Sequence, residues 1–156
     1  MKIILALRQD FETVKEITQT TIRTVYPHYY PAGAVTFFSE HHSDDRIMRD
    51  IDDGNVYLLI ADDGAAAGTV TISRDEINRL FVLPSYQHRG YGRALLDIAE
   101  AKILETYDEI RMDASLPAKK IYLRRGYTEI EYNVINTDNG DHLCYDRMVL
   151  KRPGRT

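Results

Sequence analysis

The chain has 156 residues, 44% hydrophobic and 28% charged, which suits one globular domain with a proper core and excludes a disordered chain. A formal net charge of −4 disfavours nonspecific nucleic-acid binding, which needs clustered Lys and Arg. The lone cysteine, Cys144, excludes an intrachain disulfide and a thiolate zinc cluster, and the apolar run before Arg8 is too short for a signal peptide or a membrane span, so a cytoplasmic, reducing setting is the expectation.

Residues 3–7 read as a short strand. Asp10 stands where a helix cap belongs, and Phe11, Val14, Ile17, Thr18, Thr21, Ile22 and Val25 follow at helical spacing. The segment YPHYYPAG, residues 26–33, breaks that helix with two prolines and a glycine. A second helix is expected over 37–51, its later part started by Ser43 and anchored by Ile47 and Ile51. Strands follow at 56–61 and 68–72, joined by a turn, and at 77–82, ended by Pro84. Ala94, Leu95, Ile98, Ala99, Lys102 and Ile103 mark a helix, and residues 109–113 a further strand. Ser115 caps a short helix with Pro117 in its first turn, where a missing N–H costs little, and Gly126 ends it. The last strands, 128–135 and 143–151, meet through the turn TDNGD. The order is βααβββαβαββ, read as one domain over 1–150 with a tail at 151–156.

Between the strand at 77–82 and the next helix lies YQHRGYGRALL, residues 86–96. Glycines at a strand-to-helix handover let backbone N–H groups approach a phosphate, with the helix dipole in support. A Walker loop needs Lys and Ser or Thr after its last glycine, but Arg93 and Ala94 stand there. A dinucleotide fingerprint needs a third glycine, but Leu95 stands there. A loop whose successive N–H groups wrap a pyrophosphate fits Gln87 to Arg93, and so does a plain tight turn.

The stretch INRLFVLPSYQHRGYGRALLDIAE resembles the central segment of the GNAT N-acetyltransferase superfamily. That pattern is a strand ending V-x-P (here Val82, Leu83, Pro84), then Q/R-x-x-G-x-G/A (here Gln87 to Gly92), then an apolar helix. Downstream, LPAKKIYLRRGYTEIEY resembles the later family segment, with Tyr122 four residues before the Gly126–Tyr127 pair. The element order matches too, so the resemblance spans nearly the whole chain. It implies an α/β (α+β) GNAT fold, a mixed central sheet of about seven strands flanked by about four helices.

The resemblance also implies acetyl-CoA as cosubstrate, an amine as acceptor, direct transfer between them, and no metal. The backbone of Leu80, Phe81 and Val82 is expected to hold the pantetheine arm where the strands splay. The N–H groups of His88, Arg89, Gly90, Tyr91, Gly92 and Arg93 are expected on the pyrophosphate, after Gln87, with Arg89 and Arg93 either pairing the phosphates or lying solvated on the surface. The N–H of Val82 is the oxyanion donor, an effect typically worth a few kcal/mol. Tyr122 is the proton donor to the departing thiolate, since a phenol with a pKa near 10 stays protonated at neutral pH. Ser115 reads as a helix cap with a cofactor contact added.

The general base is open. Some relatives carry Glu four residues before the Val, and Asn78 stands there. Asp75 and Glu76 are neighbours that either substitute or simply make a turn. A histidine side chain ordinarily titrates near neutrality, so His28, His41 and His42 are further candidates, each set against a surface or structural role. The break YPHYYP, with His28, Tyr29 and Tyr30, reads as a wall of the acceptor site whose aromatic faces suit a cation. Acidic turns at 44–45, 52–53 and 62–63 either draw a cationic amine or are surface loops. Cys144 is expected to be a buried, inert thiol.

Two other functions compete: a non-catalytic acyl-CoA-binding module that lost its base, and acetylation of a nucleic-acid-linked amine through the basic run Lys119–Lys120 and Arg124–Arg125. A homodimer through the late strands is left open.

Overall fold

The computed structural model describes residues 1–154. Its strands are β1 (Lys2–Leu5), β2 (Val56–Ile60), β3 (Ala66–Ser73), β4 (Glu76–Val82), β5 (Glu109–Ala114), β6 (Thr128–Asn136) and β7 (His142–Lys151). Its helices are α1 (Phe11–Val25), α2 (Ala32–His41), α3 (Asp44–Asp52), α4 (Tyr91–Leu104) and α5 (Leu116–Arg124). The strands make one mixed sheet in the order β1-β2-β3-β4-β5-β7-β6. Neighbours are antiparallel except β4 and β5, which are parallel and joined by the crossover helix α4 that such a pair requires. A mixed seven-stranded sheet flanked by helices is the architecture expected from the sequence. Among the described residues no helix is long and apolar enough to cross a membrane.

Each face of the sheet carries its own core. On one, Leu95, Leu96, Ala99 and Ile103 of α4 pack on Leu59, Val70, Ile110 and Met148. On the other, Val14, Ile17 and Ile22 of α1 and Ile47 and Ile51 of α3 pack on Val56, Leu58 and Phe81. The 3.6-residue spacing of these side chains turns each helix's apolar stripe onto the period-two face of the strands.

The helix expected over 37–51 is two helices. Helix α2 starts at Ala32, directly after an extended Pro31. Ser43 is extended as well, and its hydroxyl accepts the Arg46 N–H at 3.4 Å, capping α3. Asp10 does stand before α1, yet its carboxylate accepts the Leu7 N–H at 2.9 Å instead of capping the helix. Lys151 closes β7 rather than opening a tail, and the tail's last two residues lie outside the described residues.

One irregularity positions everything that follows. Strand β4 pairs with β3 as Thr71↔Arg79 and then Ile72↔Ile77, which leaves Asn78 as a bulged extra residue. A bulge bends its strand and sharpens the twist. Strand β4 accordingly pairs with β5 only at Glu76↔Arg111 and Ile77↔Met112, and the two part from Asn78 onward.

Candidate functional site

The parting strands open a cleft of about 830 Å³, which runs from the start of α4 across β4 to α2 and α3. Its chemistry begins with the backbone. The Leu83 N–H donates to the Ala67 C=O at 2.8 Å, which fixes the parity of the β3–β4 ladder. Alternation sends the Phe81 N–H to β3 and turns those of Leu80 and Val82 to the open side. Of the three expected backbone contacts, Leu80 and Val82 thus face the cleft. Phe81 offers it no N–H, and its buried ring packs at 5.7 Å from that of His42.

At one end the loop after β4 curls over. Gln87 donates from Nε2 to the Val82 C=O at 3.0 Å, holding the loop to the strand. His88 (φ 62°) and Gly90 (φ 84°) are both left-handed, so the chain turns its amides inward as it enters α4. The first intrahelical bond runs from the Ala94 N–H to the Gly90 C=O at 3.0 Å. The preceding N–H groups, of Tyr91, Gly92 and Arg93, have no acceptor among the described residues. Gln87, His88, Gly92 and Arg93 line the cleft. Arg89 does not: its guanidinium lies over the Tyr86 ring and donates to the Ser85 C=O at 3.0 Å. The Tyr91 side chain is buried under the helix, so only its backbone belongs to the loop surface.

Tyr122 reaches the middle of the cleft from α5. Gly126, left-handed at φ 97°, ends that helix and folds Tyr127 back, its N–H on the Tyr122 C=O at 3.1 Å and its ring edge-on to that of Tyr122 at 5.7 Å. This explains the spacing of the Tyr–Gly–Tyr motif. Burial, and then nearby Tyr26, push the Tyr122 phenol above its ordinary pKa, so it stays protonated. Ser115 lines the cleft at the N-cap of α5 without capping it, and its hydroxyl lies against the Tyr26 phenol.

The far end is built by α2, α3 and the buried face of β4. Arg79 is 5% exposed; its guanidinium donates to His42 Nδ1 at 3.2 Å, Thr71 Oγ1 at 3.1 Å and Asp50 at 2.9 Å. Burial, then Arg79, lower His42 to about 3, so its imidazole is neutral. His41 is lowered too, by burial and Arg46, whose guanidinium lies 3.3 Å from its Nδ1. Asn78, Asp113, Tyr29 and Arg49 complete this end.

Several expected site residues lie elsewhere. His28 is exposed outside the cleft. Tyr30 is buried, its hydroxyl accepting the Leu116 N–H at 2.7 Å and donating to the Cys144 C=O at 3.2 Å. Glu76 is tied to Arg147, which also holds Asp113 at 2.9 Å. Cys144 is half-buried on β7 and does not line the cleft. The basic run is partly neutralised: Lys119 pairs with Asp146 at 2.8 Å, and Arg125 with Asp97 at 2.8 Å and Glu100 at 2.5 Å. Arg79, in turn, went unnoticed in the sequence, although its shared parity with Phe81 turns it to the face covered by α1 and α3; Ile77, across the bulge, belongs to the other core.

Residues 25–149 match the family model described as an acetyltransferase (GNAT) domain. The chain superposes on the GCN5-related N-acetyltransferase of Rhodopseudomonas palustris with a TM-score of 0.85 at 20% identity, covering 96% of this chain and 94% of that one. It superposes on the PaiA N-acetyltransferase of Thermoplasma acidophilum, solved with coenzyme A, with a TM-score of 0.70 at 21% identity, over 96% and 98% of the chains. For YncA of Salmonella typhimurium, a putative acetyltransferase solved with acetyl-CoA, the values are 0.75 and 14%, over 100% and 96%. No protein of curated function matches the sequence.

Proposed function

The chain belongs to the GNAT acetyltransferase family, and from that premise we propose that it carries the acetyl group of acetyl-CoA to an amine by direct transfer. One observation carries the reading. The open edge of β4, with the N–H groups of Leu80 and Val82 turned outward, leads straight to the unpaired N–H groups at the start of α4. An extended amide-bearing arm suits the first, and a pyrophosphate suits the second. That order of groups is the order along coenzyme A. Two of the structures it superposes on were solved with coenzyme A or acetyl-CoA bound.

In this reading the Val82 N–H meets the thioester oxygen as the amine attacks and negative charge develops there. Tyr122 then donates its proton to the departing thiolate. Arg93 faces the phosphates, and Arg89 stays with Tyr86. Neither imidazole at the far end is placed to take the amine's proton: His42 Nδ1 already accepts from Arg79, and His41 Nδ1 faces Arg46. That leaves the Asp113 carboxylate on the cleft lining, or solvent at its mouth, to receive the proton.

The test has two arms. Acetyl-CoA at roughly a hundredfold excess over its Kd is expected to raise Tm by about 5–10 °C, by mass action on the native state. Thiol release is then followed with a panel of amines. An unchanged Tm overturns the cosubstrate assignment; binding without release for every amine leaves an acyl-CoA-binding module.

A further inference from the structure

We propose that the amine accepted here also carries an anionic group, a carboxylate or a phosphate, a few bonds from its nitrogen. This rests on the acetyl-transfer reading and names the acceptor class for the same cleft. The wall formed by α3 and β4 puts three arginines on the cleft lining, Arg46, Arg49 and the buried Arg79. One carboxylate, Asp50, answers them, and it is held by Arg79 at 2.9 Å. Arg46 and Arg49 lie three residues apart, on one face of α3, and neither makes an ion pair among the described residues. Of the other acids at the ends of α3, Asp44 is engaged by Lys15 at 3.0 Å and Asp52 by Arg8 at 2.7 Å, while Asp45 and Asp53 do not line the cleft.

The wall is therefore cationic in a chain of net charge −4. A polyamine or another simple cation meets repulsion on it. A carboxylate or phosphate meets two fork-shaped donors whose geometry matches its own. Asn78 and Asp113 also line the cleft and provide oxygen acceptors for an ammonium group, so one acceptor with both charges finds a partner for each. The aspartates of the acidic turns at 44–45, 52–53 and 62–63 do not line the cleft.

Matched pairs of amines test it. L-phenylalanine is compared with its carboxamide, phosphoethanolamine with ethanolamine, and spermidine serves as the polycation. Thiol release gives kcat and KM for each, and calorimetry follows acetyl-CoA binding separately. The expected result is a preference of at least about tenfold for the anionic member of one pair, which shows whether carboxylate or phosphate is taken. Arg46→Gln and Arg49→Gln, both exposed side chains, should shrink that preference through KM while leaving acetyl-CoA binding intact. Equal or better turnover of spermidine or the neutral amines, or a preference that survives both substitutions, overturns the inference and leaves acetyl transfer standing. Acetyl-CoA binding with no amine acetylated overturns the transfer reading, and this inference with it.

Discussion

Tyr122 and His42 show what burial does to two titratable groups of one cleft. In Tyr122 it fixes a proton in place. Tyr122→Phe removes that proton and little volume, so kcat is expected to fall by about tenfold or more while acetyl-CoA affinity changes by less than about twofold. Equal turnover in the two proteins takes Tyr122 out of the mechanism. In His42 burial keeps a proton out. The unfolded chain binds that proton near pH 6.5, whereas the folded chain refuses it until about pH 3. Stability is thus complete above about pH 6.5 and is lost as pH falls through the window down to about 3, by an amount on the order of a few kcal/mol. Urea midpoints at pH 7, 6, 5 and 4 read this directly. His42→Gln, which keeps an acceptor for Arg79 and has no proton to gain, should flatten the acid limb; identical slopes would assign the loss to other groups.

At the scale of elements, the approach of α4 to the sheet depends on Gly68 of β3. A Cβ there would lie 2.9 Å from Leu95 Cδ1 and 3.0 Å from the Phe81 carbonyl oxygen. The carbonyl belongs to a paired strand and has nowhere to go. Gly68→Ala is therefore expected to destabilise the fold by about 1–3 kcal/mol, read as a lower urea midpoint at unchanged m. An unchanged midpoint would mean that α4 can ride outward freely. The elements themselves were mostly legible in the sequence, because Gly90, Gly126 and the apolar spacing of α1 and α4 write local geometry into residue type. The bulge was not. Asn78 reads as any polar strand residue, and only the register against β3 makes it an extra one. The break between α2 and α3 was half legible: Ser43 signalled a start, but nothing local marked the stop at His41.

For the whole molecule, the loop at the start of α4 was legible because contiguous residues build it. The far end of the cleft was not, because Arg46, Asp50, Arg79 and Asp113 come from three elements that only the tertiary fold assembles. The tyrosines of YPHYYP divide for the same reason: Tyr26 and Tyr29 line the cleft, while Tyr30 anchors the ends of α5 and β7. The sparse β4–β5 pairing has a mechanical consequence. The sheet is two leaves of a book, β1 to β4 and β5 to β7, bound along a spine as short as Glu76 and Ile77 and backed by α4 and the core beneath it. Anything laid along β4 like an added strand would act as stitching. The same insertion that fills the cleft would lengthen the spine, so the leaves would resist prying apart most firmly while the reactants are between them.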